Sequence, residues 1–261
     1  MTADAWNPDR YHRFQEARAR PFHDLLALVE PRPGGRLLDL GCGSGELTVE
    51  ALVATGCAEA MGVDASPAML ERARTLEHAG VQFSPGDLAD PPVEGDWDVI
   101  VANASLQWVP DHDAVLADWR RRLRPGGQLA VQVPANPDHP SHLAITEVLH
   151  SEPFFSGLDA APPPDPLLSV RSPEHYAELL WRLGASAQVV RLEVYGMQMR
   201  DTDEVADWTG GTALNRVRAV LDPERFDEFD RRYRQLLRDE LGDPRPYFYA
   251  FKRILMWAWF D

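Results

Sequence analysis

The sequence predicts an open α/β fold: a mostly parallel sheet of seven strands with helices on both faces. Three observations carry this expectation. Short apolar runs alternate with helical patterns from Arg36 to Val133, the rhythm of parallel strands joined by helical crossovers. A glycine turn, Gly41-Cys42-Gly43-Ser44-Gly45, follows the first apolar run directly. Polar residues collect where the runs end: Asp39, Asp64, Asp87 and Asn103. Ligands of open α/β sheets bind outside those carboxyl ends, where the strand order reverses.

The elements follow in order. Trp6 to Arg20 is aromatic and basic, with Tyr11, Phe14 and Arg18 on one helical face. Pro21 separates it from a second helix, Phe22 to Val29, which ends at Pro31-Arg32-Pro33-Gly34-Gly35. Strand one is Arg36 to Leu40, and a helix spans Glu46 to Thr55. Strand two, Ala60 to Val63, ends at Asp64. Ser66-Pro67 then reads as an N-cap followed by proline at the first helical position. Strand three is Val81 to Phe83, and strand four is Trp97 to Ala102 with Asn103 at its end. A helix over Asp113 to Leu123 is broken by Arg124-Pro125-Gly126-Gly127, and strand five is Gln128 to Val133. After Pro134 the rhythm changes. A polar loop, Asn136 to His142, precedes a helix over Leu143 to His150, and Ala160 to Pro166 reads as a surface loop. Ser172 starts a helix that Gly184 stops, and Ala187 to Tyr195 is strand six. Thr202 to Leu241 is mostly helical, with Phe226, Phe229 and Tyr233 as the apolar stripe of its charged part. Tyr247 to Phe260 is the last strand. The helical stretch between the two late strands is expected to cover the sheet's carboxyl edge.

Composition narrows the function. With 26 basic and 41 acidic residues among 261, the formal charge is −15, which argues against general affinity for nucleic acid or an anionic membrane. Met1 to Arg20 has no apolar targeting core, and no run is long enough to span a bilayer. The two cysteines, Cys42 and Cys57, do not make a disulfide scaffold and fit a reducing compartment. A cytoplasmic protein is expected, with a monomer favoured. Cys42 reads as a small residue filling a tight turn, since no histidine stands near it in sequence to activate a thiol.

The glycine turn admits close backbone approach of a ligand. Asp64, an acid at the end of strand two, is suited to the two hydroxyls of a ribose, which a nicotinamide dinucleotide enzyme would use likewise. The glycine spacing separates the two: dinucleotide folds use G-x-G-x-x-G, whereas here it is Gly41-x-Gly43-x-Gly45 preceded by Asp39. At this point the chain resembles the class I S-adenosylmethionine-dependent methyltransferases. Leu38 to Gly45, Gly62 to Leu70, Gly86-Asp87-Leu88, Asp98 to Asn103 and Leu123 to Gly127 resemble five of that family's segments, in the family's order. Trp6-Asn7-Pro8, Arg18-Ala19-Arg20-Pro21, Asn103 to His112, and Gln132 to Asn136 with Pro140-Ser141-His142 resemble its trans-aconitate methyltransferase subgroup. Two features depart from that subgroup: Ser44-Gly45-Glu46-Leu47-Thr48 stands in place of its Pro-Gly-Asn-Ser-Thr, and the late covering segment matches only loosely.

The resemblance implies a Rossmann-like sheet with its last strand antiparallel and a helical cover over the active site. It implies S-adenosyl-L-methionine as cofactor, held by Asp39, Gly41, Cys42, Gly43, Gly45, Asp64, Ala65, Met69, Asp87, Leu88, Asn103, Ala104 and Trp108. The expected divisions are 1–29, an N-terminal segment of the cover; 30–135, the cofactor core; 136–200, the rest of the core with an inserted loop and helix; 201–246, the helical cover; and 247–261, the final core strand. Each site residue also has a plain structural role open to it: Asp39 as a turn cap, Asn103 as a strand-end residue, Trp108 as core packing.

The acceptor implied is a small carboxylic acid such as trans-aconitate. A carboxylate is already ionised at neutral pH, so it needs no general base, and none is evident in the sequence. Candidates to face such an acid are Tyr11, Arg18, Arg20, His142, Trp208, Arg245 and Tyr247. His139 and His142 are spaced as a metal pair, but no third ligand is recognisable and no metal is expected. The alternatives are a methyltransferase for a hydroxyl or amine, a nicotinamide oxidoreductase, and a non-catalytic cofactor-binding protein.

Overall fold

The computed structural model describes residues 8–155 and 161–261. Its sheet has seven strands: β1 Arg36–Leu40, β2 Glu59–Asp64, β3 Val81–Pro85, β4 Trp97–Asn103, β5 Leu123–Pro134, β6 Ala187–Met199 and β7 Tyr247–Phe260. They lie in the order β3-β2-β1-β4-β5-β7-β6. β1 to β5 pair in parallel and β7 runs antiparallel to β5, Gly127 opposite Phe260 and Pro134 opposite Arg253. The strand order reverses between β1 and β4, which places a crevice at their carboxyl ends.

The chain forms two compact units. The first holds residues up to Pro134, Ser169–Glu193 and Arg253–Asp261; the second holds Ala135–Leu168 and Val194–Lys252. In the first, helices α1 (Pro8–Leu26), α2 (Glu46–Thr55) and α3 (Pro67–Ala73) share an apolar cluster with one sheet face. Phe22, Leu25, Ala51, Leu70 and Ala73 meet Leu37, Val99, Val101 and Ala130 there. By the two-residue period of strands, Asp39 points to the same face as Leu37, toward α2. Helices α4 (His112–Arg121) and α6 (Pro173–Arg182) complete the unit. Residues 8–29, expected in the cover, thus contribute Phe22, Leu25 and Leu26 to this core.

Two local expectations are corrected. Pro21 does not divide two helices; it sits inside α1. The lost backbone hydrogen bond costs about 3 kcal/mol, and the complete burial of Phe22, next in sequence, and of Leu25, one turn further on, at about 1.5–3 kcal/mol each, offsets it. The 160–166 stretch is not simply surface: Asp165 has a side chain 10% exposed, and Leu167 just beyond it is buried. Ala160 lies outside the described residues. Smaller differences are boundary shifts. β5 starts at Leu123 and takes in the Arg124–Gly127 turn, and β6 continues to Met199.

The second unit contains α5 (Pro140–His150), α7 (Thr202–Gly210), α8 (Asn215–Arg218) and α9 (Pro223–Leu241). The side chain of His139 caps α5, accepting from Ser141 N–H at 3.1 Å, so the helix starts three residues earlier than expected. On α9 the buried stripe is Phe229, Tyr233 and Leu237, with Phe226 half-buried.

Candidate active site

The site is built at the ends of β1, β2, β3 and β4, all within the first unit. Asp39 is 3% exposed, and Thr48 Oγ1 on α2 donates to its Oδ2 at 2.6 Å. Burial pushes its carboxyl up to about 7; the Thr48 hydrogen bond works against this and the nearby Asp64 adds to it. The chain then turns through Gly41, Gly43 and Gly45, with φ of 83°, 58° and 89°. At Gly41 an added Cβ would lie 2.2 Å from Ser105 Cβ. Ser105 comes from the loop after β4, and its Oγ donates to Leu40 O at 2.6 Å. The loops after β1 and β4 are thereby locked together. Gly41→Ala combines this overlap with a left-handed backbone, and is expected to destabilise the fold by about 3 kcal/mol. A fall in urea midpoint at unchanged m-value checks this.

Gly43 is the opposite case: an added Cβ would meet nothing within 4 Å, so its backbone borders open space. Its N–H donates to Asp64 Oδ2 at 2.9 Å, and Ser66 N–H donates to Asp64 Oδ1 at 2.8 Å. Asp64 is therefore fixed by the turn on one side and the start of α3 on the other. Each carboxylate oxygen keeps a lone pair for a ligand hydroxyl. Ser66 caps α3 by accepting from Met69 N–H at 3.4 Å, as the Ser-Pro pair predicts. Ala65 and Met69 flank this start and are exposed.

Gly86 N–H donates to Asp64 O at 3.1 Å, bringing the β3 end beside Asp64. Asp87 is exposed, with Oδ1 accepting from Ala89 N–H at 2.8 Å, and Trp119 Nε1 of α4 donates to Leu88 O at 2.9 Å. On the other side of β1, Gln132 Nε2 donates to Asn103 Oδ1 at 2.7 Å, and Ala104 takes a left-handed φ of 51°. Trp108, in the turn that follows, is 52% exposed. Cys42 is buried, and its thiol is pushed up by burial and by the Asp39 and Asp64 carboxylates; the thiolate that nucleophilic chemistry needs is suppressed.

A methyltransferase-domain family model matches residues 11–188 of the chain. The chain belongs to the S-adenosylmethionine-dependent methyltransferases. Among curated relatives, trans-aconitate 2-methyltransferase of Deinococcus radiodurans is 39% identical over 254 residues, covering 97% of each chain. The Mycobacterium tuberculosis protein of that name is 36% identical over 256 residues, covering 97% of this chain and 96% of the relative. Solved structures share the fold at lower identity. Haemonchus contortus phosphoethanolamine N-methyltransferase 2, in complex with S-adenosyl-L-methionine, has a TM-score of 0.53 at 18% identity, over 93% of this chain and 52% of that one. An arsenic(III) S-adenosylmethionine methyltransferase from Chlamydomonas reinhardtii has a TM-score of 0.50 at 20% identity, over 92% and 73%. The fold of this methyltransferase is the Rossmann-like sheet of its family, and its cofactor is S-adenosyl-L-methionine.

The strand-end residues suit that cofactor. It carries a cationic amino group, a ribose diol and an adenine amino donor; the first unit offers two fixed carboxyl groups, Asp39 and Asp64, a third at Asp87, and the open approach at Gly43. The residues picked out for the acceptor come from α1 and from the second unit. Arg18 is half-buried beside the Phe14 ring on α1, and Arg20 on the same helix is exposed. The side chain of Tyr11 lies outside the described residues, as do Trp6 and Asn7. His142, Trp208, Arg245 and Tyr247 belong to the second unit. Trp208 is 6% exposed and packs its ring against Tyr249 and Phe251. Arg245 is exposed and paired with Asp243 at 2.8 Å. His139 accepts at Nδ1 from Ser141 N–H, so its Nε2 carries the proton and donates to Tyr247 Oη at 3.2 Å. Burial lowers the His139 pKa and keeps it neutral. Among the described residues no group of three or more His, Cys, Asp or Glu is placed to hold a metal, and no helix is long and apolar enough to cross a membrane.

Two side-chain devices escaped the sequence. Gln128, fully buried on β5, exchanges hydrogen bonds with the backbone N–H and C=O of Glu30 at 2.8 Å each and accepts from Trp257 Nε1 at 2.9 Å. It pins the segment after α1 to β5 and β7. Arg216, in the second unit, reaches Asp165 across 51 residues. Neither partner has a sequence signal, because both pairings are set by tertiary neighbours.

Proposed function

We propose that the chain transfers the methyl group of S-adenosylmethionine to a carboxylate oxygen of a small polycarboxylic acid of the trans-aconitate type. The observation that carries this reading is identity of 36–39% over nearly the full length with relatives named for that reaction. Such likeness extends across the second unit as well as the cofactor unit. The cofactor supplies an electrophilic methyl on a sulfonium. In this reading Asp64 accepts the ribose hydroxyls, Asp39 faces the cationic end, Asp87 holds the adenine amino group, and the Gly41–Gly45 turn admits the ligand against bare backbone.

The remaining work is positional. A carboxylate acceptor arrives ionised, and alignment of nucleophile and methyl carbon alone contributes up to roughly 7–11 kcal/mol in well-oriented cases. Attack neutralises charge on both partners, so a dry site favours it.

The test is transfer from labelled cofactor to a panel of small di- and tricarboxylates. The expected product is a methyl ester that releases its label in mild base. A base-stable product, or transfer to none of the acids, would overturn the proposal.

A further inference from the structure

At the carboxyl ends of β4 and β5 a buried glutamine holds the amide of Asn103 in one orientation. Gln132 is level with Asn103 in the pairing of β4 with β5, and Val101 is level with Asp39 in that of β1 with β4. By the two-residue period of strands, Asp39, Asn103 and Gln132 share one sheet face, with Asn103 one step nearer the carboxyl edge than Asp39. All three belong to the first unit. Gln132 is 1% exposed and engages the end of β4 twice. Its Nε2 donates to Asn103 Oδ1 at 2.7 Å, and its backbone oxygen accepts from Ala104 N–H at 2.9 Å. Its Oε1 is buried with no hydrogen-bond partner among the described residues.

This contact decides what Asn103 presents. With Oδ1 taken by Gln132, the free end of the Asn103 amide is Nδ2, which donates and cannot accept. Turning both amides round would bury the Gln132 NH2 without a partner in place of one oxygen, and orphaned N–H groups are the rarer. Asn103 is half-buried, and its Nδ2 makes no hydrogen bond among the described residues. The strand order β3-β2-β1-β4 sets the polar ends in the row Asp87, Asp64, Asp39, Asn103. The cofactor groups assigned to the first three are the adenine amino group, the ribose diol and the cationic amino group, each a donor facing a carboxyl. The carbon that bears the cationic amino group also bears a carboxylate, which only accepts. Asn103 is the member of the row that donates.

We propose that Asn103 Nδ2 donates to the carboxylate of S-adenosylmethionine, and that Gln132 is the positioning residue that keeps this donor end turned toward the ligand. The proposal rests on the placing of cofactor groups along the strand ends given above, and on nothing about the methyl acceptor.

Titration calorimetry compares S-adenosylmethionine with its decarboxylated form, which keeps the sulfonium and the amino group. The proteins are wild type, Asn103→Leu, Gln132→Met and the double variant. Wild type is expected to favour the carboxylated form by about 10–100-fold, the worth of hydrogen bonds to a charged group, and Asn103→Leu to lose that preference. Gln132→Met frees the amide to turn. It should cut the preference about 2–10-fold by weakening the carboxylated form alone, and cut it no further when Asn103 is already leucine. No preference in wild type, a preference intact in Gln132→Met, or an equal loss for both ligands would overturn the assignment, the last because a merely structural glutamine does not distinguish them. An undiminished effect of Gln132→Met in the absence of Asn103 would overturn it too. Where Gln132→Met does not fold, Gln132→Glu replaces it: the carboxylate accepts from Asn103 Nδ2 and turns Oδ1 toward the ligand, so a lost preference supports the proposal and a wild-type preference refutes it. Asp39→Asn tells the two readings apart. It faces the amino group that both ligands keep, so at pH 8 it should weaken both alike. Weakening of neither overturns the placing of the cationic end, whereas the preference in Gln132→Met decides the role of Gln132.

Discussion

Asp64→Ala is expected to raise the dissociation constant for S-adenosylmethionine by about two to four orders of magnitude while the chain stays folded. Two ribose hydroxyls donating to one carboxylate are worth about 1.5–3 kcal/mol each, and tenfold in affinity is about 1.4 kcal/mol. The carboxylate is set for this by Gly43 N–H and Ser66 N–H, at 2.9 and 2.8 Å. Alanine leaves those two donors to water, since the residue is only half-buried, and the fold loses little. Asp64→Asn separates charge from shape: its amide NH2 must face one of the two N–H donors, so its affinity should also fall. Titration calorimetry reads both variants, and unchanged binding in Asp64→Ala would falsify the ribose assignment.

The second large effect concerns Asp39 and has a sign fixed by its burial. Its folded pKa of about 7 stands well above the ordinary carboxylate value of 3.8. Between those two pH values the folded chain holds a proton that the unfolded chain has released. The free energy of unfolding therefore falls as pH rises from about 4 to about 7, by a few kcal/mol in all, and is flat beyond. Asp39→Asn keeps an acceptor for Thr48 and removes the titration. The stability of the variant minus that of wild type should thus grow with pH across this window and level off above 7; urea unfolding at pH 5, 6, 7 and 8 measures it. Cofactor affinity should run the other way. A cation near Asp39 favours its ionised form, so wild-type binding strengthens as pH rises toward 7 and releases a proton below it. The variant should bind with no such slope, and more weakly at pH 8 by about 10–100-fold. A variant with the wild-type pH profile for both stability and binding would show that another group titrates.

The difference between what could and could not be read beforehand lies in sequence distance. The glycine turn, the Ser66 cap and the acids at strand ends are local: each depends on residues within one strand-turn-helix step, and the structure has them where the pattern places them. The alternation of strands and helices likewise carries the parallel order of β1 to β5. Non-local devices left no trace. Gln128 holds Glu30 from 98 residues away, and a buried glutamine on a strand looks in sequence like a polar residue on a wet face. Pro21 ends helices by local rule, but packing of Phe22 and Leu25 overrules it. In the second unit Arg216 resembled any surface arginine, because the carboxylate beside it comes from a proline-rich stretch with no regular period.

The strand order has a consequence for biosynthesis. β7 is the last strand in sequence, yet it lies between β5 and β6. A nascent chain can assemble β3-β2-β1-β4-β5, but it must then present the long edge of β5, apolar at Leu129, Val131 and Val133, to its surroundings. β6 has no neighbour to join until the 14 residues of Tyr247–Phe260 have been made. Completion of the sheet thus waits for the synthesis of Tyr247–Phe260, and until then the open β5 edge is prone to aggregation. Ribosomes stalled short of residue 247 should hold a cofactor unit that is open at β5 and prone to self-association.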